Sequence, residues 1–519
     1  MNKPSFDSQS LPRDYNAAVD FVDRNVDEGR QDKAAFIDPE RQITYGELKS
    51  LSSQFANLIT SMGLKREMRI AQIMTDTVDF PVVFFGAIRA GVIPVPINTL
   101  LVPDQHEYIL RDARAEALII SAPLLGALKD RLGDIDTIKH VIVVGGDAQG
   151  HTEFASAMAG QSQDFAPAPT CVDETAFWLY SSGSTGMPKG VRHVHSSLRL
   201  TAETYGNQVL GISQDDVVFS AAKLFFAYGL GNAMTFPMAA GATAVLMPDR
   251  PTPQSVMSML KTYNPTIFFG VPTLYAAMLA DPECTPQNGS ANLRRCVSAG
   301  EALPNDVGNQ WQERFDTEIL DGVGSTEMLH IFLSNCPGEV RYGTSGVPVP
   351  GYDMKLVDDD MMPVETGEIG ELIVSGQSSA DGYWNQREKS RATFAGEWTL
   401  TGDKYYQDDD EFYHYCGRTD DMFKVSGIWV SPFEVESALI SHDSVLEAAV
   451  VPYDDGQGLL KPKAFVVLQQ EVASDAKLEE TLKEHVKSAV GKWKYPRLIE
   501  FCDDLPKTAT GKIQRFKLR

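Results

Sequence analysis

The sequence predicts an α/β protein: a large N-terminal domain of parallel-type sheets flanked by helices, followed by a small α+β C-terminal domain. Short apolar runs alternate with segments of helical periodicity over most of the chain. This alternation is typical of buried parallel strands covered by helices. The pattern changes near Gly343 and again after Gly417, which indicates a β-rich subdomain and then a separate final domain.

The first long helix has clear start and stop signals. Thr44 and Glu47 have the spacing of a capping box, apolar residues recur at helical spacing over 48–58, and Gly63 is suited to end the helix. A second, buried helix is predicted over Val82–Ala90. The strands predicted in this part of the chain are Arg69–Met74, Val92–Ile97, Glu116–Ile120, His140–Val144, Ala176–Tyr180, Thr243–Met247, Thr266–Phe269 and Arg294–Val297.

Residues 343–415 have short alternating strands separated by turn signals, which predict the β-rich subdomain. We therefore place the N-terminal domain at 1–419 and the C-terminal domain at 420–519. The elements predicted in the C-terminal domain are the helices Pro432–Ile440 and Leu478–Val490 and the strands Leu446–Val451 and Ala464–Leu468.

Charge is distributed unevenly along the 519 residues. The whole chain has a formal charge of -24, with 46 Lys plus Arg against 70 Asp plus Glu. Residues 421–519 carry 14 basic and 15 acidic side chains, so residues 1–420 keep 32 against 55. Such an acidic body argues against nucleic acid or an anionic membrane as the main partner.

The N-terminus has no apolar segment of the kind that directs secretion. The six cysteines form no Cys-x-x-Cys pair and match no zinc template. We therefore expect reduced thiols in a cytoplasmic protein.

The strongest single motif is the run Tyr-Ser-Ser-Gly-Ser-Thr-Gly-Met-Pro-Lys-Gly at 180–190. Its glycines allow close approach of the backbone to a ligand, and its amides, hydroxyls and Lys189 suit a polyphosphate. It differs from a Walker A loop because Gly190 follows Lys189 where that template requires Ser or Thr. A flexible Ser/Gly linker is the alternative, and the embedded Pro-Lys-Gly after an apolar strand disfavours it.

This run resembles the phosphate loop of the adenylate-forming superfamily, which includes acyl-CoA synthetases, peptide-synthetase adenylation domains and luciferases. Four further segments resemble other motifs of that superfamily, in the same order. They are Asp321–Glu327, Thr401–Asp403, Gly417–Asp421 and Pro506–Lys512. The resemblance spans Tyr180 to Arg515 and implies the superfamily's fold and chemistry.

The implied chemistry joins a carboxylate to the α-phosphate of ATP and releases pyrophosphate. Because two anions must meet, catalysis is mostly charge neutralisation and alignment. The resemblance gives Lys512 the central role, since a compact ammonium can bridge the carboxylate and the α-phosphate. Without the resemblance, Lys512 would be interpreted as an exposed lysine in a basic tail.

The resemblance also implies a nucleotide site. Asp403 is suited to accept hydrogen bonds from ribose hydroxyls and Arg418 to add a donor, although a turn carboxylate and a surface salt bridge are alternatives. Glu301 could equally be a helix-start carboxylate. The predicted nucleotide-binding residues are Ser181, Ser182, Gly183, Ser184, Thr185, Gly186, Lys189, Gly300, Glu301, Ala302, Asp321, Gly322, Val323, Asp403 and Arg418.

Thr326 and Glu327 are predicted to orient Mg²⁺ and phosphate, with Glu327 as the metal ligand. Mg²⁺ prefers one or two carboxylates together with phosphate oxygens, which fits a single glutamate. His193 and His195 have alternate-strand spacing but no evident third ligand, so we expect them to be structural.

In the superfamily, the C-terminal domain rotates after adenylation and presents a second face to the thiol. The resemblance makes Asp420 the hinge of a mobile domain and puts four residues on that second face. These are Lys424, Ser426, Gly427 and Trp429. A simple strand and turn is the alternative for this segment.

Residues 223–232 combine three aromatic side chains with small residues and contain no carboxylate. Such walls suit a flat aromatic acid, although a core aromatic stripe has the same pattern. Together with Ser298–Pro304 and Gly324–Phe332, the segment resembles benzoate-CoA ligases. The ring-pocket residues implied are Phe226, Ala227, Tyr228, Gly229, His330 and Ile331, and His330 could instead be a core histidine.

The sequence therefore predicts an ATP-dependent aryl-CoA ligase that activates benzoate or a substituted benzoate and uses ATP, Mg²⁺ and coenzyme A. A short- or branched-chain acyl-CoA synthetase of the same superfamily is the alternative. A phosphate-loop NTPase or kinase, a luciferase-like oxygenase and a non-catalytic nucleotide-binding protein are disfavoured. The expected partners are small molecules, without nucleic acid or membrane, and a homodimer stays open.

Overall fold

A computed structural model describes residues 11–181, 187–425, 428–454, 460–469, 472–492, 494–507 and 513–519, with the backbone alone at 424, 428, 429 and 516. The chain divides into two compact units. The first unit comprises Met1–Asp353 and Val374–Thr399, and the second unit comprises Met354–Ile373 and Leu400–Arg519. The boundary that the sequence predicts between 419 and 420 stays a prediction.

The first unit is built on a sheet of nine strands. Six neighbouring strands in its middle are parallel, and antiparallel strands extend both edges. In spatial order the strands are Val347–Pro348, Ile331–Ser334, Ile319–Gly324, Arg295–Ser298, Ile267–Gly270, Val217–Ser220, Thr243–Val245, Ala34–Ile37 and Gln42–Thr44. Their buried, β-branched residues need cover on both faces, which is why helices follow most of these strands.

A second sheet of the first unit has five strands, all parallel. In spatial order they are Ile93–Pro96, Arg69–Ile73, Ala117–Ser121, His140–Val144 and Thr152–Glu153. A smaller antiparallel sheet contains Gly382–Tyr383, Lys189–Val194 and Thr175–Ser181. Trp178 of this small sheet is 2% exposed and belongs to the apolar core of the five-stranded sheet.

Helices separate the strands of the first unit. The helix Tyr45–Ser61 begins with the predicted capping box, in which Thr44 and Glu47 each bond the other's backbone amide. The helices are Val19–Asp23 with Arg24–Asp27, Tyr45–Ser61, Asp79–Arg89, Pro103–Asp112, Ala122–Leu125, Lys129–Leu132, Phe154–Ala159, His195–Thr201 with Ala202–Val209, Ala227–Leu230 with Gly231–Thr235 and Phe236–Ala240, Pro253–Tyr263, Pro272–Ala280, Pro286–Asn288, Asn305–Phe315 and Arg387–Thr393.

The segment predicted to be β-rich forms a five-stranded sheet. Its strands are Tyr352–Val357, Gly370–Gly376, Phe394–Ala395, Trp398–Gln407 and Tyr413–Arg418. The last two of these strands are an antiparallel pair that aligns Asp403 with Arg418.

Beyond Arg418, the second unit has its own apolar core. The antiparallel strands Val445–Asp454 and Leu460–Leu468 are joined by Leu498–Phe501, and a separate hairpin contains Phe423–Val425 and Ile428–Val430. The helices Pro432–Ile440 and Ala476–Val490 pack on the sheet through a cluster that includes Val435, Leu439, Leu482 and Val486. A short turn of helix follows at Arg515–Lys517. These elements confirm the α+β class predicted for the C-terminal region.

Candidate active site

The predicted phosphate loop connects two paired strands of the first unit. Ser181 lies directly opposite Lys189 across the ladder of Thr175–Ser181 with Lys189–Val194. Tyr180 donates a hydrogen bond to Asp112 Oδ2 at 2.6 Å, which fixes the strand just before the loop. Ser182, Gly183, Ser184, Thr185 and Gly186 lie outside the described residues.

Both ends of this loop meet Glu327, which follows a different strand. Glu327 Oε1 lies 3.8 Å from Lys189 Nζ and 3.5 Å from Ser181 Oγ, which donates to it. The same oxygen accepts a hydrogen bond of 2.8 Å from the hydroxyl of Tyr383. Among the residues that the structure describes, nothing bonds Glu327 Oε2. The predicted metal ligand therefore has one occupied and one open oxygen.

Tyr383 is a member of this site that sequence reasoning missed. It is 5% exposed, and the Lys189 ammonium lies 4.2 Å from the centroid of its ring. A two-residue strand has no periodicity that could mark it, and 56 positions separate it from Glu327. The only sequence signal was the aromatic pair that Tyr383 forms with Trp384.

The backbone before Glu327 is held by a buried histidine. His193 Nε2 lies 2.8 Å from the carbonyl oxygen of Thr326, and because a carbonyl accepts, Nε2 carries the hydrogen. Burial lowers the pKa of His193 to about 4, so its ring is neutral near pH 7. His193 therefore orients Thr326, which agrees with the structural role expected from the sequence.

Asp321 lies in the interior, only 4% exposed, and fastens the predicted adenine turn. Its Oδ2 accepts from the backbone amide of Leu303 at 3.3 Å, beside Gly300, Glu301 and Ala302. Burial raises the pKa of Asp321 to about 8. Gly322 and Val323 follow it in the strand Ile319–Gly324 and pair with the neighbouring strand Ile331–Ser334. Direct contact of these residues with a nucleotide stays a prediction.

Tyr228 is the best-fixed aromatic residue of the predicted acid pocket. Its hydroxyl shares its hydrogen between the carbonyl oxygens of Gly270, at 3.1 Å, and Val297, at 3.2 Å, which lie at or one residue before the ends of two neighbouring parallel strands. Its ring centroid is 6.3 Å from that of Phe269 and 5.7 Å from that of His330. The ends of parallel strands are the usual ligand position in such sheets.

His330 joins the other side of this aromatic cluster. Its Nε2 lies 3.2 Å from the carbonyl oxygen of Tyr228 and 3.1 Å from Asn232 Oδ1, both acceptors, so Nε2 carries the hydrogen. Burial lowers the pKa of His330 to about 3, and the ring is neutral. Ile331 follows it at the start of a buried strand. The pocket prediction thus gains a fixed arrangement of Tyr228, His330 and Ile331.

The first residues of the pocket segment are also anchored. Phe226 and Ala227 are half-buried at the start of the helix Ala227–Leu230. A Cβ on Gly229 would stand 2.1 Å from the carbonyl oxygen of Lys223, so this position requires glycine. Asp76, missed by sequence reasoning, accepts the backbone amide of Leu224 at 3.2 Å.

In the second unit, Asp403 and Arg418 form an ion pair. Arg418 NH1 donates to Asp403 Oδ1 and to the carbonyl oxygen of Thr401, each at 3.0 Å. Gly402 has a φ of +71°, and a Cβ there would stand 2.7 Å from Arg418 NH2. The two predicted ribose-site residues are therefore brought together by strand pairing, next to a positive φ that glycine permits.

The predicted hinge is tied to the segment 513–519 within the second unit. Arg519 NH2 donates to the carbonyl oxygen of Asp420 at 3.1 Å and to Asp421 Oδ1 at 2.7 Å. Lys424 and Trp429 pair across the backbone of a hairpin. Their side chains, together with Ser426, Gly427 and Lys512, lie outside the described part of the chain.

Comparison with known proteins agrees with this geometry. A family model described as "AMP-binding enzyme" matches residues 22–384, and one described as "AMP-binding enzyme C-terminal domain" matches residues 434–512. The chain therefore belongs to the AMP-binding enzyme family.

Two curated relatives match over nearly their whole length. A 4-hydroxybenzoate–CoA/benzoate–CoA ligase of Rhodopseudomonas palustris is 57% identical over 98% of this chain and 94% of its own. A benzoate–CoA ligase of Thauera aromatica is 55% identical over 98% of this chain and 96% of its own.

Two solved structures share the fold. One is an anthranilate CoA ligase in complex with anthranoyl-AMP, with a TM-score of 0.94, 42% identity, and coverage of 99% of this chain and 98% of its own. The other is a benzoate CoA ligase from Burkholderia xenovorans, with a TM-score of 0.90, 49% identity, and coverage of 97% and 100%. Among the described residues, no helix combines the length and the apolar character needed to cross a bilayer.

Proposed function

We propose that this chain is an ATP-dependent, AMP-forming aryl-CoA ligase whose acid is benzoate or a substituted benzoate. The observation that carries the proposal is that the predicted phosphate site and the aromatic cluster are joined by a short stretch of chain. Glu327, with the ends of the phosphate loop at its Oε1, stands three residues before His330, which contacts Tyr228 in the aromatic cluster. A carboxylate on an aromatic ring held there would face the phosphates, which is the alignment that adenylation requires.

The first half-reaction joins the carboxylate to the α-phosphate and releases pyrophosphate. Ser181 and Lys189 bind the polyphosphate, since they frame the loop with a hydroxyl and a cation. Asp403 accepts hydrogen bonds from the ribose hydroxyls, and Arg418 holds the carboxylate of Asp403 in place. Lys512 bridges the carboxylate and the α-phosphate as charge builds.

Mg²⁺ is part of this proposal, and the residues present fit it. Glu327 offers an open Oε2 while its Oε1 is occupied by Tyr383, and one carboxylate with phosphate oxygens is a common Mg²⁺ environment. When bound, the ion would supply neutralising charge for the phosphates. Thr326, whose backbone carbonyl is held by His193, is the neighbouring residue that offers an oxygen to the ion or to phosphate.

In the second half-reaction the acyl group passes from AMP to the coenzyme A sulfur, and AMP leaves. We assign the thiol-facing surface to the segment around Lys424, Ser426, Gly427 and Trp429, with Asp420 as the hinge. Since ATP and coenzyme A are cytoplasmic metabolites, we place the enzyme in the cytoplasm.

Product analysis tests the proposal. With benzoate, ATP, Mg²⁺ and coenzyme A, mass spectrometry should find benzoyl-CoA and AMP in equal amounts, and binding titrations with 2-, 3- and 4-substituted benzoates should rank the acids. Removal of one ring group changes preference by about 1–3 kcal/mol in such pockets. A strong preference for a straight-chain fatty acid would favour the short- or branched-chain synthetase and contradict the aryl assignment.

Lys512→Ala separates the two half-reactions. We expect the variant to lose formation of benzoyl-adenylate and to keep thioester formation from supplied benzoyl-adenylate, because the bridging ammonium acts in the first step only. Single-turnover assays of each half-reaction measure this, with Lys477→Ala on the exposed start of the helix Ala476–Val490 as the control. Equal losses in both half-reactions would contradict the role of Lys512.

A further inference from the structure

We propose that Tyr383 is a positioning residue for the metal-binding carboxylate of Glu327 and for the Lys189 ammonium. The proposal rests on the proposed function, because it gives Glu327 the task of binding Mg²⁺. It adds a residue that no motif in the sequence analysis singled out. Its basis is one buried side chain that contacts both an anion and a cation of the phosphate site.

The backbone of Tyr383 is rigidly placed. Tyr383 pairs with Val191 in the ladder, two residues beyond Lys189. Its amide donates to Ser390 Oγ at 3.0 Å, and the amide of the next residue, Trp384, donates to the carbonyl oxygen of Gly190 at 2.8 Å. The phenol therefore projects from the same small sheet that carries the phosphate loop.

The hydroxyl of Tyr383 selects which oxygen of Glu327 is available. Its 2.8 Å hydrogen bond goes to Oε1, the oxygen that also faces Ser181 and Lys189. A phenol hydrogen bond to a carboxylate is charge-assisted and stronger than a neutral one. Because Oε1 already accepts these contacts, Oε2 is the oxygen available to bind a metal ion. The carboxylate would therefore bind the ion through one oxygen. Hydrogen bonds of this kind to metal ligands orient them and tune their affinity.

The ring of Tyr383 acts on the cation. Lys189 Nζ lies 4.2 Å from the ring centroid, within the range of a cation–π contact. The ammonium is 3.8 Å from Glu327 Oε1, longer than a direct hydrogen-bonded ion pair. The aromatic face thus stabilises Lys189 near the carboxylate, where both groups can serve phosphate and metal.

Calorimetric titration of ATP with and without Mg²⁺ tests the hydroxyl through Tyr383→Phe, which keeps the ring. We expect the variant to need about tenfold more Mg²⁺ for half-maximal ATP binding, a typical loss when a hydrogen bond to a metal ligand is removed. Binding of ATP in the presence of a chelator should stay within twofold of the wild type. In a Glu327→Gln background, Tyr383→Phe should have no further effect on the Mg²⁺ requirement.

Tyr383→Leu removes the ring as well. We expect it to weaken ATP binding several-fold even without Mg²⁺, because Lys189 loses its aromatic contact. The matched control for Tyr383→Phe is Tyr45→Phe. It removes another buried hydrogen bond, from the Tyr45 hydroxyl to the carbonyl oxygen of Ala242 (2.7 Å), at the start of a helix. That control should leave the Mg²⁺ requirement unchanged.

Two results would overturn the proposal. One is a wild-type Mg²⁺ requirement in Tyr383→Phe, and the other is an equal loss of ATP binding with and without Mg²⁺ in that variant. Failure of the proposed function has a different signature: Mg²⁺-dependent ATP binding would be intact in the wild type while no aromatic acid is adenylated.

Discussion

Glu327 is the residue whose immediate surroundings say most about the chemistry. Its Oε1 meets a hydroxyl, a phenol and an ammonium, whereas its Oε2 is unbonded within the described residues. This asymmetry supports a role in binding a further cation.

Replacement of that carboxylate is expected to slow adenylation. Glu327→Gln keeps the size and the oxygen that faces Tyr383 but removes the negative charge. We expect kcat/KM for pyrophosphate release to fall by about 100-fold or more, since one preorganised electrostatic group contributes on that scale. Initial rates at saturating ATP measure this effect, and Glu313→Gln on an exposed helix position is the control. Wild-type rates in Glu327→Gln would contradict the role of this carboxylate.

At the residue scale, motif spacing predicted the candidates and the structure supplied their contacts. Ser181 and Lys189 were predicted in one motif and Glu327 in another, and the structure brings the first two residues to one carboxylate oxygen of Glu327. Tyr383 was missed because it reaches its site through pairing of a two-residue strand, which leaves no local pattern. Asp76 was missed because its hydrogen bond to Leu224 spans 148 positions of the sequence. Lys512 stays a prediction.

Elements were predictable where periodicity is long enough to detect. The helix Tyr45–Ser61 with its capping box and the strand His140–Val144 have the predicted positions. Strand ends differ by one or two residues in Thr175–Ser181, predicted at 176–180, and by up to four in Leu460–Leu468, predicted at 464–468. The two-residue strand Gly382–Tyr383 was not predictable, because two residues cannot express an alternation.

The segment 513–519 is anchored to the rest of the second unit by an ion pair with a buried carboxylate. Arg515 donates to both oxygens of Glu436, at 3.0 and 2.7 Å, and Glu436 is 4% exposed. Glu436 Oε1 also accepts a hydrogen bond from the amide of Val450 at 2.7 Å, which connects the helix Pro432–Ile440 to the strand Val445–Asp454. Arg515 NH1 further lies 3.6 Å from Asp421 Oδ2.

Loss of Arg515 should destabilise the second unit. Arg515→Ala leaves the carboxylate of Glu436 buried without its cation, and such losses cost about 3–5 kcal/mol. Hydrogen exchange of the strand Val445–Asp454 and denaturant unfolding measure the change. Pairing the substitution with Glu436→Gln should recover part of the stability. Unchanged exchange in Arg515→Ala would contradict a stabilising role for the pair.

At the scale of the whole molecule, the acidic charge belongs to residues 1–420, where 55 acidic side chains face 32 basic ones. The near-neutral remainder supplies the predicted cations Lys424 and Lys512. An acidic body disfavours large polyanions, while the roles proposed for Lys424 and Lys512 require only single cations that act on two small anions, ATP and coenzyme A. Net charge alone did not predict this division.

Three of the buried histidines should make the folded chain sensitive to acid. Burial lowers the pKa of His193 and of His195 to about 4, and that of His330 to about 3. An unfolded histidine binds its proton near pH 6.5, so between about pH 6.5 and 4 the unfolded chain holds more protons and stability falls as the pH falls. Each histidine contributes about 1.4 kcal/mol per pH unit in that window.

Denaturant unfolding at pH 5, 6 and 7 tests this contribution by comparing variants. His193→Gln should lessen the pH slope by about one proton relative to the wild type, whereas His151→Gln, at a half-exposed position, serves as the control. Buried Asp76 and Asp321, whose pKa values are raised to about 6 and about 8, act in the opposite direction, so the difference between variant and wild type is the quantity to measure. An unchanged slope in His193→Gln would contradict the assignment.

The central claim is that the first unit's phosphate and aromatic residues serve one adenylation reaction on an aromatic acid. Exchange of labelled pyrophosphate into ATP, measured without coenzyme A, tests this claim most directly. Benzoate and Mg²⁺ together should start rapid exchange, and omission of either, or replacement of benzoate by butanoate, should reduce it to background. Exchange that proceeds without an acid, or that butanoate supports better than benzoate, would contradict the claim.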